Sequence, residues 1–293
     1  MEGRPGGMNM RFRYGSSQAQ DRYNHGDPNF PIFLERPVSE HVQIQLIDRV
    51  QVIRIHRPDK KNALTRAMYS AIADAMRDAD TDAAVRAVLI TGTADCFTSG
   101  NDVADFVNDP PATADSPVGR FLQQLTEQQK PLVAAVNGAA VGVGVTLLLH
   151  CDLVYAGAGA RFQMPFVSLG VCPEAASSLL LPALLGRAKA SELLLLAERF
   201  SSEVARDCGI VNAVLPDDQT FEHALAKAHQ VAAQPPHAVR VTKRLLARAT
   251  QAAVRETILH EFEHFAPMLR GPEAMEAMSA FLQKRKPDFS NFA

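Results

Sequence analysis

The sequence predicts an α/β fold, with a core of largely parallel strands followed by a helical C-terminal region. Three observations carry that expectation. Short apolar runs, "VRAVLITG" (85–92), "LVAAVNG" (132–138) and "DLVYAG" (152–157), alternate with helical stretches, as buried parallel strands do. Beyond Gly186 the pattern turns helical. The chain has 293 residues, 47% hydrophobic and 21% charged, enough for one large domain or a domain with an appendage.

Residues 1–38 are rich in Gly, Asn, Arg and Ser and read as a disordered or extended lead-in without a signal-peptide apolar run. "VQIQLIDRVQVIRIHRP" (42–58) alternates apolar and polar residues like two short strands, which Pro58 ends. Thr65 then caps a helix whose apolar face is Met68, Ile72, Ala75, Met76 and Ala79. The 85–92 strand leads into "ADCFTSGNDVADFVND" (94–109), a loop entering a short helix. "PATADSPVG" reads as a flexible insertion, and a helix over about 118–129 precedes Pro131. The 132–138 strand, a glycine turn and a buried helix beginning at "GVTLLLHC" follow. Leu132–Cys151 has no charged residue and the length of a membrane span, but Asn137-Gly138, Gly142 and Gly144 punctuate it, so strand, turn and helix fit better. Helices are expected at 187–198, 202–208, 217–233, 237–250, 253–269 and 272–285. The division expected is 39–200 for the α/β core and 201–293 for the helical region.

A formal net charge of −2 offers no field for nucleic acid or an anionic membrane. Cys96, Cys151, Cys172 and Cys208 form no CxxC pair and read as reduced thiols of a cytoplasmic protein. No cluster has metal-site spacing, so no metal is expected.

Two glycine junctions, "FTSGND" and "GAAVGVG", lie between strand and helix. Unpaired N–H groups at two converging helix starts would donate to one oxygen, an oxyanion hole. Neither junction has phosphate-loop spacing. Each glycine alone has a plainer explanation, tight turns and close packing. Glu174 is the only charged residue in "FQMPFVSLGVCPEAASSLLLPALLG" (162–186). Burying such a carboxylate is costly unless it is paired or used. On the residues alone it is either a helix-start carboxylate after Pro173 or a catalytic base.

"RPDKKNAL", "VRAVLITGTADCFTSGND", "PLVAAVNGAAVGVGVTLLLHCDLVYAGAGARFQMP", "LGVCPE" and "AFLQKRKPDF" resemble, in order, the crotonase (enoyl-CoA hydratase/isomerase) superfamily across about 42–290. The resemblance implies a ClpP-like spiral of β-β-α units, acyl-CoA substrates, homotrimers or hexamers, and no cofactor beyond the coenzyme A of the substrate. It implies that the backbone N–H groups of Asn101 and Val143 hold the thioester oxygen. It implies that Ala63, Leu64, Ser99, Gly100, Asp102, Val103 and Gly142 line the acyl-CoA site, with Lys61 and Lys284 near the CoA phosphates and adenosine. Asp102 read by itself caps the following helix, and His150 is a hydrogen-bonded core residue.

Hydratases that the chain resembles carry two glutamates, at positions matching Thr146 and Phe166 here. Neither can take a proton from water. A lone glutamate at the position of Glu174 resembles peroxisomal-type Δ3,Δ2-enoyl-CoA isomerases, "PEAASS" standing beside their "PEGxSS". The expected activity is therefore isomerisation of 3-enoyl-CoA to 2-enoyl-CoA with Glu174 as base. A hydratase or other crotonase reaction, and a non-catalytic acyl-CoA-binding protein, are the alternatives.

Overall fold

The structure, a computed structural model, describes residues 36–108 and 115–292. Its strands are β1 (Arg36–Ser39), β2 (Val42–Ile47), β3 (Val50–Ile55), β4 (Ala87–Thr91), β5 (Cys96–Thr98) and β6 (Leu132–Val136). There follow β7 (Ala139–Val141), β8 (Leu153–Gly157), β9 (Arg161–Gln163), β10 (Phe200–Ser201) and β11 (Ala213–Leu215). The helices are α1 (Arg66–Thr81), α2 (Val103–Asn108), α3 (Pro117–Glu127), α4 (Val143–Thr146), α5 (Ser177–Leu185) and α6 (Arg187–Leu195). The last five are α7 (Ser202–Asp207), α8 (Thr220–Ala232), α9 (Pro236–Ala247), α10 (Gln251–Met268) and α11 (Pro272–Leu282).

Two sheets organise these elements. The larger runs β1-β2-β3-β4-β6-β8-β11, antiparallel through β3 and parallel beyond it. The hairpin between β2 and β3 closes on Asp48 and Arg49, both at positive φ, as a two-residue turn matching strand twist requires. β4 and β6 are buried at every position, which is why they read as unbroken apolar runs. α8 packs against β4, β6 and β8, while α1 packs against α3. The smaller sheet, β10-β9-β7-β5, is built from strands of two or three residues.

α1 forms as its sequence dictates: the Thr65 hydroxyl accepts from the Met68 N–H, and Met68, Ile72, Ala75, Met76 and Ala79 are all buried. Other expectations need correction. Residues 36–38, assigned to the lead-in, belong to β1; residues 1–35 lie outside the described residues. The insertion read over 111–119 falls outside them up to 114, and from Ser116 it is the capped start of α3. The buried helix after Gly142 is one turn of α-helix, and Leu147–His150 tighten into a 3₁₀ turn. β-branched Val143, Val145 and Thr146 favour neither a long helix nor an exposed one. The region 201–293 is not purely helical, since β11 adds a parallel edge strand beside β8. α5 went unread because its segment is apolar all round, leaving no amphipathic period. No helix among the described residues is long and apolar enough to cross a membrane.

Candidate active site

Parallel pairing of β5 with β7, Cys96 to Ala139 and Thr98 to Ala140, sets the two glycine junctions side by side at the ends of neighbouring strands. Gly100 has φ +90° and packs so close to the Val141 carbonyl that an added Cβ would lie 3.0 Å from its oxygen. Gly142 has φ 56° and ψ −117°, a conformation open essentially to glycine alone. The first junction is stitched to the loop before α1. Ser99 N–H donates to the Lys61 carbonyl at 3.0 Å, Leu64 N–H to Gly100 at 2.8 Å, and Asp102 N–H to Leu64 at 2.9 Å. Buried Asn62 anchors that loop, its amide donating to the Cys96 carbonyl at 2.6 Å and its oxygen accepting from Arg57 N–H at 2.7 Å.

The stitching takes the Asp102 amide, the Gly100 amide donates to the Thr98 hydroxyl at 3.1 Å, and the Asn101 amide is left without a partner among the described residues. Val143 is the first residue of α4, so its N–H has no intrahelical acceptor, and it too donates to nothing among the described residues. Two adjacent junctions therefore each present at least one free amide.

Three residues on from Val143, the Thr146 hydroxyl donates to Oε1 of Glu174. Glu174 is 8% exposed and lines a narrow cleft together with Asn101, Tyr69 and Glu261, walled by Phe106, Leu122, Ile258 and Phe265. Burial pushes the Glu174 carboxyl up to about 8; the Thr146 hydrogen bond pulls it down, and the nearby charge of Glu261 pushes it up again. The Tyr69 hydroxyl donates to Oδ1 of Asn101 and is raised well above its ordinary value by burial and by Glu174, so it stays neutral.

Not every expected residue reaches the cleft. Glu174 and Asn101 line it; Val143 is buried at the foot of α4 without lining it. Lys61, Ala63, Leu64, Ser99 and Gly100 form the stitched loop through backbone contacts. Asp102 is committed elsewhere, pairing with Arg57 at 2.6 Å and capping α2 through Asp105 N–H at 3.1 Å, with Val103 opening that helix. Lys284 stands exposed just after α11. Phe166, at one of the hydratase glutamate positions, is buried in the core. His150 bonds the Ala175 carbonyl at 2.8 Å, as a core histidine should. A larger open groove, lined by Asp48, Arg49, Arg86, His229 and Pro235, holds none of the candidate residues.

Sequence reasoning missed Tyr69 and Glu261. Tyr69 lies on α1 next to Met68 but outside the apolar face that the spacing picks out. Glu261 carried a usable signal, since it shares the α10 face of Ile258, Phe262 and Phe265 at helical spacing, a carboxylate on an apolar stripe.

A buried carboxylate of raised pKa sharing a cleft with Asn101, whose backbone amide is unpartnered among the described residues, is chemically suited to taking a proton from a carbon acid and holding the resulting enolate. Comparison with known proteins agrees with that class. A family model described as enoyl-CoA hydratase/isomerase matches residues 47–291, and the chain belongs to that family. It is 35% identical over 242 residues to the 2,3-dehydroadipyl-CoA hydratase of Escherichia coli K12, covering 82% of this chain and 95% of that one. It is also 35% identical to rat enoyl-CoA delta isomerase 2 over 241 residues, 80% of this chain and 61% of the rat protein. The solved structure of Pseudomonas aeruginosa OdaA superposes with a TM-score of 0.82 at 51% identity, covering 83% of this chain and 99% of that one. The fold is the crotonase fold of these relatives.

Proposed function

We propose that this enzyme is a Δ3,Δ2-enoyl-CoA isomerase. Glu174 takes a proton from C2 of a 3-enoyl thioester, leaving a conjugated dienolate. The amides of Asn101 and Val143 hold its oxygen, and the protonated Glu174 returns the proton at C4. No other atom enters or leaves, so one carboxylate suffices.

The observation that carries this reading is the composition of the cleft: among the described residues, Glu174 is its only carboxylate with an oxygen left to act. Thr146 and Phe166 occupy the hydratase glutamate positions, and Thr146 is spent on Glu174. The second carboxylate, Glu261, has both oxygens engaged, Oε1 by the Ser178 amide and hydroxyl and Oε2 by the Ala176 amide. A water-adding enzyme needs an acid and a base, and Glu261 is not free to be either. The test is to offer 3-enoyl-CoA and 2-enoyl-CoA in parallel. Conjugation of the first with negligible hydration of the second is expected; dominant hydration would overturn the reading in favour of the hydratase alternative, and acyl-CoA binding without turnover in favour of a binding protein.

The raised carboxyl adds a pH signature. A base must be ionised to act, so kcat/KM should climb with pH and level off above about 8. Thr146→Val removes the hydrogen bond that favours the ionised form and should move that limb to higher pH. A limb in the ordinary carboxylate range would remove Glu174 from the rate-limiting proton transfer.

Coenzyme A enters as part of the substrate, and Lys61 and Lys284 are proposed to meet its phosphates. A homotrimer or hexamer in the cytoplasm belongs to the same proposal. Leu245 and Leu246 of α9 are 61% and 79% exposed, and Phe281 and Leu282 of α11 are also exposed, an apolar surface in want of cover. Sedimentation at micromolar concentration should give a trimer or larger; a monomer would overturn the assembly.

A further inference from the structure

The segment that presents Glu174 is strained. Ala175 and Ala176 both adopt left-handed backbone, φ 58° and 55°, and both are completely buried. A residue with a Cβ is disfavoured there, so two in succession persist only where their surroundings hold them. The holding contacts come from three directions. The Glu174 carbonyl accepts from the Ser177 amide at 3.1 Å and its hydroxyl at 2.7 Å. His150 Nε2–H donates to the Ala175 carbonyl. From α10, Glu261 reaches across to take the Ala176 amide at 2.6 Å and the Ser178 amide at 3.0 Å, with the Ser178 hydroxyl as a third donor.

Glu261 is 6% exposed, and an isolated carboxylate there would be a liability. Its three donors are charge-assisted partners, the strong kind of hydrogen bond; one belongs to the left-handed pair itself and the other two lie two residues past it. A carboxylate spent entirely on one strained turn next to the base has a job that packing alone would not require.

We propose that Glu261 is a positioning residue, which clamps the left-handed turn at Ala175–Ala176 and thereby fixes where Glu174 presents its carboxylate in the cleft. This rests on Glu174 being the base. Among the described residues it also makes Glu261 the one charged group acting on that base. Of the other titratable groups around Glu174, Tyr69 on α1 is kept neutral by burial, the Cys172 thiol is pushed up to about 11 by burial, and His150 is pushed towards its neutral form by burial. Glu261 in turn is raised by burial and lowered by its three donors and by exposed His260 beside it.

Steady-state kinetics and acyl-CoA binding for Glu261→Gln, Ser178→Ala and Glu174→Gln separate the possibilities. Gln at 261 sets an amide donor against backbone donors, so the clamp fails while side-chain volume is kept. Its kcat should fall by ~10–100-fold, the scale of a misplacement of about an ångström at a reacting group, with Kd for a saturated acyl-CoA unchanged. Its kcat/KM limb should move to lower pH, because the charge opposing ionisation of Glu174 is gone. Ser178→Ala keeps that charge and both amide bonds, so it should lose several-fold in kcat with the limb unmoved. Wild-type kcat and an unmoved limb in folded Glu261→Gln would overturn the proposal. So would a loss expressed wholly in Kd, which would make Glu261 a wall of the pocket. Should Glu261→Gln fail to fold, exposed Ser178 decides: wild-type kcat for Ser178→Ala overturns the clamp. Full activity in Glu174→Gln would instead sink the base assignment, whatever the other two variants do.

Discussion

Glu174→Gln is expected to lower isomerase turnover by ~10²–10⁴, the usual contribution of a positioned general base, while the fold and acyl-CoA binding survive. The amide is nearly isosteric and can still accept from Thr146, so the cleft keeps its shape. What it loses is the ability to bind the C2 proton. The same change should raise stability at high pH. The folded-state value for Glu174 is about 8 against an ordinary value of about 4.5, so the folded protein binds the extra proton between those limits. The stability associated with that proton is fully present below about 4.5 and is lost as pH rises through about 8. Gln carries no such penalty. The melting-temperature advantage of the variant should therefore grow from pH 5 to pH 8, and an advantage that shrinks across that window would contradict burial as the source of the raised value.

Val143→Pro should cost ~10²–10³ in turnover, about 3–4 kcal/mol, the loss seen when one oxyanion donor is removed. Proline suits the site structurally. Position 143 is the first residue of α4, where proline's fixed φ is tolerated and the missing N–H breaks no helical bond. The substitution thus deletes the donor and little else. Asn101→Ala is the counterpart, since it keeps the backbone amide and removes the side-chain carboxamide whose oxygen receives the Tyr69 hydroxyl, so its effect should be modest. A folded Val143→Pro protein with full activity would remove Val143 from the mechanism. A collapse for Asn101→Ala as large as that for Val143→Pro would move the weight from the amide to the Tyr69–Asn101 pair.

What the sequence revealed and what it hid follow from the range of the interactions. β4, β6 and β8 were legible because strands covered on both faces become apolar runs, and α1 because one covered face leaves a 3.6-residue period. β3 misled: it read as alternating, yet Arg54 is buried and sets its guanidinium 5.5 Å over the Phe221 ring of α8. The small sheet was invisible, since two or three residues have no period. That sheet nevertheless brings the two glycine junctions together. Glu174 stood out against its apolar neighbours. Its partners did not, because Thr146, Tyr69 and Glu261 meet it only through tertiary packing of α4, α1 and α10 around one cleft. The strain at Ala175–Ala176 was hidden as well, since alanine carries no left-handed signature of the kind glycine gives.

The central claim is that one buried carboxylate carries the same proton from C2 to C4 while the apolar cleft keeps water away. It is tested most directly with a 3-enoyl-CoA bearing deuterium in place of both C2 hydrogens, turned over in ordinary water. The product is analysed by mass and by NMR. Transfer by Glu174 within a shielded cleft predicts 2-enoyl-CoA that keeps one deuterium at C2 and carries a substantial fraction of the other at C4. Product with C4 free of deuterium and one label lost to solvent, or with a hydroxyl added at C3, would contradict it.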